Sequence, residues 1–280
     1  MKAVFTLTPS ESKRLIAKGV MAMDIVKKAQ ENAYLVLAGG TTNAFIAQEI
    51  LGKEGIEPQR CSYGISTNGV LCNTPLDTLK MFPNVFYKGE PKDKPLDEVF
   101  QDFHMDTVVI KGANAIDPEW NVGIVTSGFD GGTVPRVIGY ITSNGLNFIT
   151  PVSLEKMVPS VLAGCKAVGA KRFDYSLGAN FGMFHIADSI VVTEIEALDI
   201  LFGVDATLVC AGGVGGNEGA VTLAVDGPEE NIKKMIDMLE NEIKGEPPVP
   251  GNVGVCETCV YKVCRLNGMK KEELPEWIKR

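Results

Sequence analysis

Glycine-punctuated alternation between short apolar runs and helix-period segments restricts the fold of this chain more than any other feature. The runs at residues 34–37, 106–111 and 146–149 are too short for stable helices. Near-continuous apolarity is the mark of parallel strands covered on both faces. Segments 43–51, 134–141 and 154–168 follow them and read as helices. This alternation predicts an α/β domain over residues 1–186, with a Rossmann-like, mostly parallel sheet. The first helix is signalled by Thr8-Pro9-Ser10-Glu11. There a threonine N-cap and a glutamate at N3 form a capping box, and proline takes a position where its missing N–H costs nothing.

Beyond residue 186 the pattern changes. Residues 189–193, 206–210 and 220–225 read as strands, and 194–202 and 229–243 as helices. The order β-α-β-β-α is most of a split βαβ unit, so a smaller ferredoxin-like α+β domain is expected over residues 187–246. Residues 247–280 are then a linker and a cysteine-bearing tail, with a helix expected at 260–266.

Charge and composition exclude some functions. The 27 lysines and arginines against 35 aspartates and glutamates give a net charge of −8, so the basic surplus of a nucleic-acid-binding chain is missing. No apolar run approaches the ~18 residues of a membrane span, and no signal peptide is read, so no membrane partner is expected. Seven cysteines, an odd number, suit a reducing cytoplasm better than a disulfide framework. The two histidines, His104 and His185, lie outside any nucleophile-elbow context, which argues against a Ser-His or Cys-His hydrolase. A homo-oligomer is the expected assembly.

Three segments carry candidate chemistry. In Ala38-Gly39-Gly40-Thr41-Thr42, glycines allow close backbone approach, the following helix offers free N–H groups, and two hydroxyls add donors. That set suits phosphate or another oxyanion; the plain alternative is a strand-to-helix turn with threonine as N-cap. The strand at 106–111 runs into Lys111-Gly112-Ala113-Asn114-Ala115-Ile116-Asp117, with Asn121 beyond it. A third segment is Gly128-Phe129-Asp130-Gly131-Gly132-Thr133.

Taken in order, these segments resemble the ribose-5-phosphate isomerase family. Residues 38–42 are similar to its Gly-Thr-Gly-Ser-Thr phosphate loop, 111–117 to its Gly-Ala-Asp-Glu strand end, and 130–133 to its Lys-Gly-Gly-Gly loop. The resemblance covers about residues 33–150. It implies the wider superfamily of that isomerase, glucosamine-6-phosphate deaminase and CoA transferases, whose isomerase branch also carries a ferredoxin-like domain. The departures bear on the reaction. Asn114-Ala115 stands where the family has Asp-Glu, and Phe129 or Asp130 where it has the loop lysine. The glutamate base has no counterpart, since 134–139 offers only Arg136. Enediol chemistry needs a base and groups that stabilise the oxyanion, so the isomerase reaction itself is not expected.

The expected site therefore binds a small anionic, phosphorylated metabolite at the carboxyl ends of the parallel strands. Gly39, Gly40, Thr41, Thr42, Asn43, Gly112, Asn114, Gly131, Gly132 and Thr133 would bind the ligand. Asp117 or Asp130 would act as base, with Lys111 as electrostatic partner. A second glycine loop at 211–219 lies between strands and reads as a hairpin loop, a ligand lid or an oligomer contact. In the tail, Cys256-x-x-Cys259 followed by Cys264 has spacing that suits a zinc ion or an iron–sulfur cluster; redox-active thiols, or structural cysteines in a tail helix docked on the core, are the alternatives. A fourth ligand would come from Cys61, Cys72, Cys165, Cys210, a histidine or a substrate. Two other functions stay open: a metal protein whose chemistry is in that tail, and a non-catalytic sensor or assembly protein that kept the pocket without the base.

Overall fold

The structure, a computed structural model, describes residues 1–128, 130–251 and 253–279. Its centre is a six-stranded sheet in the order β12 (Ile190–Val192), β10 (Asn147–Pro151), β7 (Val108–Ile110), β2 (Tyr34–Leu37), β5 (Val85–Tyr87), β6 (Glu90–Pro91). The first four strands are parallel, and β5 and β6 add antiparallel at one edge. β2 and β7 are buried along their whole lengths. Their apolar runs are those of strands covered on both faces.

Helices α1 (Pro9–Ala22), α2 (Asp24–Asn32) and α3 (Thr41–Leu51) precede the antiparallel edge in sequence, and α4 (Thr133–Asn144) and α5 (Val161–Ala167) follow β7. The capping box of α1 forms as its sequence implies: Thr8 N–H donates to Glu11, and Glu11 N–H to the Thr8 hydroxyl. Between β2 and β5 the chain makes a hairpin, β3 (Gly64–Thr67) and β4 (Val70–Asn73). A small antiparallel sheet of β8 (Ala115–Ile116), β9 (Val122–Thr126) and β11 (Gly182–Ile186) lies beyond β7.

The smaller α+β unit differs from its expected composition. Its sheet has the order β1 (Lys2–Leu7), β14 (Val221–Asp226), β13 (Asp205–Ala211), with α6 (Glu194–Phe202) and α7 (Glu229–Met238) beside it in sequence. The strand expected to open this unit, β12, instead extends the central sheet next to β10. The N-terminal strand fills the small sheet, antiparallel to β14 from Lys2↔Asp226 to Leu7↔Val221. One apolar cluster runs through both parts of the molecule. It includes Leu35 and Leu37 of the central sheet, Ile16 and Val20 of α1, and Leu223, Ile232 and Met235 of the smaller unit.

Three predicted helices are corrected. Pro159 interrupts 154–168, because a proline disfavours helix at the preceding residue and cannot donate. Val158 N–H bonds to Ile116 O, leaving a short 3-10 turn (Leu154–Lys156) and then α5. The helix at 229–243 is α-helical to Met238 and closes in a π turn, Leu239–Ile243. Residues 260–266 form turns, one of them closed by Cys264 N–H on Tyr261 O. Among the described residues, no helix is long and apolar enough to cross a membrane.

Candidate functional site

The carboxyl ends of β2, β7 and β10 open into a cavity of about 1900 Å³. Each strand delivers one loop to it: Ala38–Thr42 after β2, Lys111–Asn114 after β7, and Glu155–Lys156 after β10. The Asp130–Thr133 turn ahead of α4 forms a further wall. Opposite these, the β3–β4 hairpin and the tail from Gly254 to Tyr261 close the cavity.

Two helices aim their N-termini at this space, and each starts at a glycine. α1, α5 and α6 carry side-chain caps from Thr8, Ser160 and Thr193. α3 and α4 begin at Gly40 and Gly132, which supply no side chain. Gly40 sits at φ 151°, ψ 153°, a conformation almost confined to glycine. First-turn amides have no partner inside a helix, so an uncapped start leaves them for another acceptor. Thr41 is therefore the first helical residue and not the N-cap.

Positive charge converges on the same place. Lys111 Nζ donates to Gly39 O at 2.9 Å, which seats the ammonium on the glycine loop. Lys156 Nζ donates to Ala113 O at 2.7 Å. An ammonium has three protons, so one hydrogen bond leaves donors over. Burial pushes both lysines down to about 8; for Lys156 the neighbouring charges of Lys13 and Lys111 add to the effect. Both side chains still open partly on the cavity. Lys13, reaching in from α1, donates to Glu155 at 2.9 Å and to Pro9 O.

The structure separates the residues singled out in the sequence. Gly39, Gly40, Thr41, Thr42, Lys111, Gly112, Asn114, Asp130, Gly131, Gly132 and Thr133 all line the cavity. Asn43 does not; it is fully buried and donates to Ala38 O and Ile110 O, pinning the loop to β7. Asp117 is also outside the cavity lining and is 1% exposed. Its carboxylate accepts from the N–H groups of Glu119, Asn121 and Val161 and from the Asn121 amide. Burial opposes its ionisation, but these bonds prevail and hold it below the usual carboxylate range. Such a group braces a turn and has no free lone pair directed at a ligand.

Asp130 is exposed at the cavity rim. The Gly132 N–H, and then Arg136 at 3.4 Å, hold its carboxyl below the ordinary range. Phe129 lies outside the described residues. His185 pairs with Asn121 at 2.9 Å, and neither histidine lines the cavity. The loop at 211–219 joins β13 to β14 and does not line the cavity, although Gly219 sits against Glu155, which does. Cys256 and Cys259 line the cavity, with Cys264 buried behind them. Among the described residues, no three His, Cys, Asp or Glu side chains are close enough to share one metal ion.

Lys13, Lys156 and Tyr261 were not singled out in the sequence. Lys156 had a signal, since it follows the third parallel strand closely and the carboxyl ends of such strands are where ligands bind. Lys13 had none, being one of several lysines on the first two helices.

No protein-family model and no curated protein matches this chain. A solved structure of D-ribose-5-phosphate isomerase in complex with phospho-erythronic acid is similar at 18% identity and a TM-score of 0.29, over 82% of this chain and 85% of that one. So distant a likeness assigns neither a family nor a ligand.

Proposed function

We propose that the cavity binds a small anionic metabolite, with a phosphate or similar oxyanion seated between the start of α3 and the ammonium groups of Lys111 and Lys156. The observation that carries this is the meeting of two partly desolvated lysines with a helix start that has no side-chain cap. Burial strips hydration from both lysines, and among the described residues no carboxylate is hydrogen-bonded to either Nζ, although Glu155 and Glu194 act on Lys156 at longer range. An arriving anion would supply the missing partner, and the low-dielectric wall would strengthen the attraction. Proton transfer at such a site would use Asp130 as carboxylate, or a lysine in its neutral form, and not Asp117.

Titration calorimetry with inorganic phosphate, sugar phosphates, carboxylates and CoA esters tests this reading. Lys111→Met and Lys156→Met should each weaken the best ligand about tenfold to a hundredfold, the range of a charge-assisted hydrogen bond. If none of these anions binds the wild-type chain, the proposal fails. Asp130→Asn then separates an enzyme from a sensor: unchanged binding with lost turnover marks a catalyst.

A further inference from the structure

The seven cysteines divide into two kinds. Cys61 is a buried thiol whose Sγ donates to Glu57 O and Lys80 O, and burial pushes it up to about 11. Cys165 lies on α5 and Cys210 is exposed on β13. The other four gather in one apolar cluster where the β4 strand meets the tail: Cys72, Cys256, Cys259 and Cys264. These sulfurs are in electrostatic range of one another.

Backbone N–H groups point at two of these sulfurs. Cys72 Sγ accepts from Gly254 N–H at 3.3 Å, and Cys264 Sγ accepts from Gly178 N–H at 3.3 Å. Both donors are glycines in places where a Cβ would not fit. At Gly254 a Cβ would stand 2.9 Å from Asn73 O and 3.2 Å from Cys72 Sγ; at Gly178 it would collide with Leu71 O. Cys256 and Cys259 are brought onto one side of a tight turn by Cys259 N–H on Cys256 O. Backbone N–H groups aimed at sulfur are the outer shell of metal–thiolate centres.

We propose that these four cysteines hold one thiophilic metal centre, with Cys72 as the fourth ligand that the tail alone lacks. Four thiolates around one positive centre offset the charge that four adjacent thiolates would otherwise concentrate in an apolar cluster. Two metal chemistries share this ligand set, a zinc ion and an iron–sulfur cluster. No three of the sulfurs stand close enough in this structure to share a single ion, so either centre requires the tail turn and β4 to draw together around it. The centre would clamp the tail onto the β3–β4 hairpin and so fix the wall of the cavity that both segments form.

The full-length chain, purified without oxygen, is assayed for iron, acid-labile sulfide and zinc, and its visible spectrum recorded. One centre per chain is expected, with colour and sulfide marking the cluster and colourless zinc the single ion. Cys72→Ser and Cys256→Ser should each lower metal content about tenfold or more, a loss at least as large as those from outer-shell changes. Cys210→Ser should leave it unchanged. Should the serine variants not fold, stripping the wild-type chain with a chelator and reloading it with zinc, or with iron and sulfide, gives the same answer. A chain that takes up neither, or a Cys72→Ser protein with full metal content, overturns the proposal.

Discussion

Lys156 and Lys111 have opposite consequences for binding and for stability. Desolvation holds both near 8, below the unfolded lysine value of about 10.4. Between those two values the unfolded chain binds more protons than the folded one, so stability rises with pH across that window, and the cost is full below it. Lys156→Met should therefore raise the melting temperature at pH 7, with the gain shrinking to nothing by about pH 10.4. A gain independent of pH, measured by thermal denaturation in matched buffers, would contradict the assignment. Asp117 behaves in the other way. Asp117→Ala would strand the amides of Glu119, Asn121 and Val161, at a cost of about 3 kcal/mol in a denaturant titration. Anion affinity should persist at temperatures where that variant is folded. From sequence Asp117 and Asp130 looked alike, because both are aspartates in turns of glycine-rich segments. Contact with Val161, 44 residues away, is what makes Asp117 a brace.

At the scale of elements, close helix packing supports the site from behind. α1 carries Lys13 toward the cavity and buries Arg14, which pairs with Glu246 and Glu49 and lies over the Phe45 ring. These contacts hold the link after α7 against α1 and α3. α1 also packs on α6 so tightly that a Cβ at Gly19 would stand 2.6 Å from the Ala197 Cβ. Gly19→Ala should cost about 1–3 kcal/mol by overpacking, despite alanine's better helix propensity. Adding Ala197→Gly should recover part of that loss, and a double-mutant cycle read by chemical denaturation checks the coupling. The start of α1 was the most legible element, since a capping box operates within four residues. The break at Pro159 was also written locally, but the apolar periodicity around it concealed it.

Across the whole molecule, the two chain termini complete structures begun elsewhere. β1 fills the small sheet beside β14, and the tail covers Val70, Leu71 and Ala179 while walling the cavity. Ending the chain after Gly251 should therefore weaken anion binding as well as lower stability, by exposing the cluster around Val70 and Leu266. Binding and melting of the truncated chain, compared with the full one, check both effects; unchanged anion affinity would separate the tail from the site.

The sequence by itself determined the α/β class, the capped start of α1 and the positions of two glycine turns. Those depend on backbone conformation and periodicity within a few residues. Only the tertiary structure decided which charges meet. Lys13 reaches Glu155 across 142 positions, and Gly254 reaches Cys72 across 182. Such encounters depend on how strands are ordered in a sheet, and local residue preferences do not encode that order.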